Sequence, residues 1–314
     1  MSQTQYANER IGLGAGALAL LAAFLWGGNQ IAIKAGLAGV PPIAMAALRF
    51  SIGLAIVAAA ARLSGVSVRM EPGRLRGHLG LGLLFVVQIV ALNAGTAHTN
   101  ASRSTVLITT YPFFTAFFAH LLIPGDRLDV PKVTGLALAF AGVVLMFAEG
   151  LAPGEGQFLV GDAVVLLSGL LLGLRQVVLK RLVHGQHPFQ VLFWQALMGV
   201  PAFVVLSWLW EREAAWTWTP GVVGGVLYQG IVVAGFCFIL WVSLLQRHSA
   251  SRLGVFGFLT PIVGVIFSAL IMGDRLTPLL LASVTLVALG IAAVNAGGDW
   301  PFLRRWSSAG GGER

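Results

Sequence analysis

Two arginines stand where an arginine is costly. Arg49 lies about 10 Å of helix rise beyond Pro42, inside an apolar stretch. Arg175 lies between Leu174 and Gln176, well inside another. A guanidinium at the centre of a bilayer costs roughly 2.5 kcal/mol or more. Either group would offset a substrate carboxylate in a water-filled cavity. The other reading of Arg175 is a snorkel toward the membrane face, beside Lys180 and Arg181. Lys34 reads as an anchor at the interface.

Trp26, Gln30 and Lys34 share one helix face by i, i+4 spacing, with Asn29 adjacent. An aromatic beside amides suits a cavity that shields a carbon chain and satisfies polar groups. Gln88, Asn93, Tyr111, Gln176, Gln195, Tyr228, Gln229 and Phe256 extend the set. Any single amide has a plainer use, an interhelical hydrogen bond of roughly 1–2 kcal/mol or less. The whole set exceeds that need and predicts a path lined for substrate. Pro112 and Pro261 each remove an i to i−4 bond and predict a matched pair of hinges. The freed carbonyls need partners in lipid, and Thr109, Thr110, Tyr111 and Thr260 are nearby.

Helices in lipid must hold these side chains. Of 314 residues, 57% are hydrophobic and only 10% are charged, against about 25% charged in soluble domains. Such a chain cannot clothe its surface for water. Helices satisfy every backbone group internally in lipid, and a span takes about 20 apolar residues. The expected architecture is an all-α membrane protein of ten transmembrane helices, at 11–34, 42–61, 77–97, 102–123, 131–149, 161–180, 188–210, 220–244, 252–272 and 278–296. Gly39–Pro42, Ile123–Asp126, Ala152–Gly156 and Thr277–Pro278 separate spans. Arg10 followed by Ile11–Leu25 imitates a signal peptide, but the apolar run continues to Ile33 and reads as an uncleaved first helix.

Basic residues set the orientation. With the N-terminus in the cytoplasm, that side holds Arg10, Arg62, Arg69, Arg74, Arg76, Arg127, Lys132, Lys180, Arg181, Arg247, Arg252, Arg304, Arg305 and Arg314. The outer side holds only Lys34, Arg103, Arg212 and Arg275. Both termini are therefore expected in the cytoplasm. The net charge of +8 lies in gaps between spans, not on a basic face, which excludes a nucleic-acid partner. The lone Cys237 excludes a disulfide framework and a Cys-rich metal site. His184 and His187 are too isolated for a metal, and no Walker-A loop, HExxH or nucleophile elbow occurs. Neither ATP-driven pumping nor any cofactor is expected. Acids inside spans are nearly absent, and Glu149 and Asp162 fall at span ends.

The chain repeats itself. Asn100–Pro112 and Ser249–Pro261 share Ala-Ser-Arg and the same spacing from arginine to proline. Both stretches lead to Gly-Asp-Arg-Leu, at 125–128 and 273–276. Lys34 precedes Pro42 by the same distance as Lys180 precedes Pro188. Each copy holds five spans, at 1–149 and 150–298, leaving 299–314 as a cytoplasmic tail. An odd count forces the second copy to insert upside down, the inverted-repeat architecture of many secondary transporters. Gly12–Gly16, Gly169–Gly173 and Gly221–Gly225 have spacings that permit close helix contact.

The chain resembles the drug/metabolite transporter superfamily, and within it the EamA-type ten-helix exporters. Trp26-Gly27-Gly28-Asn29, Leu48-Arg49-Phe50, Ala91-Leu92-Asn93, Pro112, the two Gly-Asp-Arg-Leu motifs, Pro261 and the Gly290 helix carry the likeness. The family usually has Glu where Asp126 and Asp274 stand here, and Arg49 becomes Gln195 in the second copy. The resemblance implies a cavity lined by helices one, three, four, six, eight and nine. It also implies export of amino acids or related amphipathic compounds by alternating access. Import and a channel are the alternatives. A membrane-embedded enzyme would need a His, Asp and Ser cluster at one depth, and none assembles. The partners expected are a small-molecule substrate and the bilayer of a bacterial inner membrane, with the protein a monomer or weak homodimer.

Overall fold

A computed structural model describes residues 12–122, 130–150, 156–183, 186–247 and 255–296. The apolar runs form helices: α1 (Leu13–Leu37), α2 (Pro42–Leu63), α3 (Leu75–Ala97), α4 (Ala101–Leu122) and α5 (Val130–Gly150). They continue as α6 (Leu159–Val183), α7 (Pro188–Trp210), α8 (220–247), α9 (Leu259–Met272) and α10 (Pro278–Ala296). Among the described residues, eight helices are long and apolar enough to cross a membrane, and α9 and α10 are shorter apolar helices. Both tails, the first Gly-Asp-Arg-Leu motif, Ser249–Gly254 and 152–155 lie outside the described residues.

Local chemistry marks the helix starts. Pro42, Pro188 and Pro220 occupy first helical positions, where the missing N–H has no intrahelical use. Asn100 Oδ1 accepts from Arg103 N at 2.8 Å and caps α4. Other helices supply further caps. Glu211, at the end of α7, accepts from the N–H groups of Ile43 and Ala44 at 2.8 Å each, opposite the positive end of α2. Asp274 accepts from Ser102 N at 2.9 Å at the start of α4. Lys34 Nζ donates to the carbonyls of Thr96, Ala97 and Thr99 where α3 ends. One end of the bundle, hereafter the Lys34 end, is thereby knitted together.

The helices pair as α2 with α7, α3 with α6, α5 with α10, and α1 with α8 and α9. Phe50 of α2, Phe85 of α3 and Phe203 of α7 form the aromatic centre, with ring centroids 4.7, 5.6 and 5.9 Å apart. Glycine sets the closeness of α5 and α10. A Cβ at Gly142 would lie 2.9 Å from the Ser283 carbonyl oxygen, and one at Gly290 would lie 2.8 Å from that of Gly135. In lipid, van der Waals packing of this kind drives helix association.

Gly290→Leu should therefore push α5 and α10 apart at a cost of about 1–3 kcal/mol. A detergent melting curve reads this as a lowered midpoint. Gly80→Leu, on an exposed face where an added Cβ meets nothing within 4 Å, should leave the midpoint unchanged.

Candidate functional site

Among the described residues three arginines are buried inside the bundle, and they differ in what surrounds them. Arg103 of α4 is 2% exposed and fully engaged. Its Nε donates to Asp162 Oδ2 at 2.8 Å, its Nη1 to Glu149 Oε2 at 2.9 Å, and its Nη2 to the Met146 carbonyl at 2.8 Å. Thr99 donates to the other Asp162 oxygen at 2.6 Å, and Thr277 bonds the other Glu149 oxygen. This is a satisfied network of the kind a low dielectric rewards.

Arg49 and Arg175 have no such partners. Arg49 is 4% exposed and Arg175 7%. Arg49 Nη1 donates to Gln229 Oε1 at 3.1 Å, while its Nε is buried without a partner. Its guanidinium carbon lies 4.4 Å from the Phe50 ring centroid. Arg175 lies over Phe85, 5.2 Å from the centroid, with both Nε and Nη1 unpartnered. The π faces offset part of the charge. The two cations are near enough to repel each other, and Arg175 and Tyr111 also interact electrostatically. The snorkel reading of Arg175 is thus not the geometry seen: the group is buried against Phe85. Gln195, beside Phe50, borders a void of about 20 Å³ with its Oε1 unpaired.

Several other members of the predicted lining also bond neighbouring helices. Gln88 donates to Ser168 Oγ at 2.8 Å, and Ser168 returns a bond to the Gln88 carbonyl at 2.9 Å. Asn93 donates to the Pro42 carbonyl at 2.8 Å. Gln229 Nε2 donates to the carbonyls of Ala32 and Gly225, both at 3.1 Å. Tyr228 donates to the Leu25 carbonyl at 2.8 Å. Gln30 accepts from Ser104 at 3.3 Å. Trp26 meets Trp241 and Phe238 edge-on at 5.2 and 6.4 Å, and Phe256 packs beside Ala19 and Leu244. Asn29, Gln88 and Asn93 each keep an unpaired amide oxygen, and Gln176 is partly buried next to Arg175.

The prolines are not alike. The regular helix of α4 breaks at Thr109–Thr110, just before Pro112. Thr109 Oγ1 donates back to the Thr105 and Val106 carbonyls, and Thr110 Oγ1 to that of Leu107, whereas the carbonyl that Pro112 leaves without its N–H is that of Ile108. Pro261 instead follows a 3₁₀ turn, Val255–Phe258, at the start of α9, and Thr260 reaches across to the Ala23 carbonyl at 3.3 Å. Tyr228–Cys237 and Ser268–Met272 are wound as π-helix, a form common at functional sites.

Sequence reasoning missed the Arg103 network. Arg103, Glu149 and Asp162 were each placed at a span end. The available signal was that opposite charges converged on one end of the bundle.

The sequence pattern of the EamA-like transporter family matches residues 14–148 and, a second time, residues 159–296. A protein of Escherichia coli strain K12 named "Probable amino-acid metabolite efflux pump" is 27% identical over 307 residues, 94% of this chain and 97% of that one. "Uncharacterized transporter YoaV" of Bacillus subtilis is 23% identical over 268 residues, 85% and 91% of the two chains. A crystal structure with 23% identity superposes with a TM-score of 0.68 over 94% of this chain and 98% of the other. That likeness establishes a shared fold.

The two classes of arginine should respond oppositely to truncation. Arg103→Met leaves Asp162 and Glu149 buried without their cation and should cost about 3–5 kcal/mol. Arg175→Met removes a charge that has no counter-ion and should leave stability unchanged or raised. Denaturation of the purified variants in detergent measures both.

Proposed function

Because the chain belongs to the EamA-like transporter family, we propose that it exports small amphipathic metabolites, amino-acid metabolites first among them, by alternating access. One observation carries this reading. Arg49 of the first half and Arg175 of the second are buried near the Phe50–Phe85–Phe203 centre, with N–H groups that no protein atom takes. Secondary transporters place their substrate sites at that depth, between their repeats.

The mechanism needs two inverted halves, 1–149 and 150–298, each crossing the membrane five times. Helix contacts support the inversion. The same spacing separates Gly142 from Gly290 as Gly135 from Ser283, and the close contacts made by these four residues are reciprocal. A further matched pair is Gly77 against Leu182 and Gly225 against Gly36. With both termini in the cytoplasm, the Lys34 end faces outward and is closed by the Arg103 network and the Lys34 bonds. Pro112 and Pro261 act as the bends about which the halves exchange roles. Arg49, Arg175, Tyr111 and Gln195 meet the substrate. Gln88, Asn93 and Gln229 brace the helices around it.

In proteoliposomes, substrate-dependent flux of at least one compound from an amino-acid and metabolite panel is expected. No flux across a broad panel would remove the reading. Cysteines introduced one at a time at Ser67 and Glu213, both exposed between helices, should react with impermeant reagents from opposite sides of the membrane. Reaction from the same side would refute the inverted halves.

A further inference from the structure

We infer that the solute accepted at this site carries net negative charge, as an organic acid without a free ammonium group. The inference rests on the transport reading above and adds the charge of the cargo. The argument is an inventory of acids. Among the described residues these are Glu71, Glu149, Asp162, Glu211, Glu213 and Asp274. Glu149 and Asp162 are bound to Arg103. Glu211 holds the start of α2, and Asp274 that of α4. Glu71 and Glu213 pair with Arg74 and Arg212 in turns. None remains for the aromatic centre, where Arg49 and Arg175 stand with donors unused.

A zwitterion would bring a carboxylate for these donors and an ammonium with nothing to meet it. Burying an unpaired ammonium costs several kcal/mol, and the two arginines would add repulsion. An N-acylated amino acid or a dicarboxylate avoids that cost. Its carboxylate takes charge-assisted bonds from guanidinium N–H groups. Its neutral N–H, if present, suits an unpaired amide oxygen such as Gln195 Oε1. Arg103 shows what this fold does with a buried guanidinium that is purely structural: it supplies acids. Arg49 and Arg175 lack them, which points to an acid that arrives with the ligand.

The test is a series of one shape and three charges. N-acetylleucine is anionic, leucine zwitterionic and leucinamide cationic, and succinate adds a dianion. Stabilisation of the detergent-purified protein against heating reports binding. Competition with any transported panel compound in proteoliposomes reports recognition during flux. N-acetylleucine or succinate should act at concentrations at least about tenfold lower than leucine, and leucinamide should be weakest. Arg175→Gln should erase that order, while Arg175→Lys, which retains the charge, should keep part of it. Leucine acting as well as the anions, or no stabilisation by either anion through the millimolar range, would overturn the inference. Charge-ordered stabilisation without flux of any compound would uphold the anion site and remove the transport reading. Flux of leucine without charge order would do the reverse.

Discussion

A guanidinium taken out of water must find its counter-charge, and this constraint organises the bundle. Arg103 meets it with two carboxylates and a carbonyl. Those groups come from α5 and α6, Arg103 itself from α4, and Thr277 adds the turn before α10. The network therefore fixes four elements at one end of the protein. Arg49 and Arg175 do not meet the constraint from within the chain. The fold completes one buried arginine fully and leaves two others incomplete, and on the proposed reading the incomplete pair serves the cargo.

The division also assigns the polar residues. Gln88, Asn93, Tyr228 and Gln229 all face inward, yet each is committed to a carbonyl or hydroxyl of a neighbouring helix. In lipid such bonds, with glycine contacts, replace the hydrophobic drive that holds soluble helices together. What remains for a ligand is two cations, a tyrosine near one of them, and the unpaired amide oxygens of Asn29, Gln88, Asn93 and Gln195. For the Lys34 end to open, the partners of Arg103 must move together or separate. In the proposed alternating access this network is the lock on that end.

The helices were legible because each apolar run exceeds ten residues and ends at Gly, Pro or charge. The starts of α2, α7 and α8 coincide with proline, as expected from the fixed φ of that residue. The threonines near Pro112 bond the carbonyls of Thr105, Val106 and Leu107, not that of Ile108, which the proline leaves without its N–H. The site was legible only in part. Arg49 and Arg175 stood out because charge inside an apolar run is costly. Pairing was not legible: nothing local distinguishes Gln229, bonded through both its amide oxygen and its amide nitrogen, from Gln195, left with a free oxygen. That difference depends on which helix lies opposite, a long-range fact. The Arg103 network was hidden for the same reason, since its members lie on three helices.

The central claim is that Arg49 and Arg175 wait for an anion. The most direct measurement is a structure of the protein loaded with a transported organic acid. The account predicts a carboxylate seated on the N–H groups of Arg175, Arg49 or both, near Phe85 and Phe50. A ligand bound elsewhere, with both guanidinium groups still unpartnered, would contradict it.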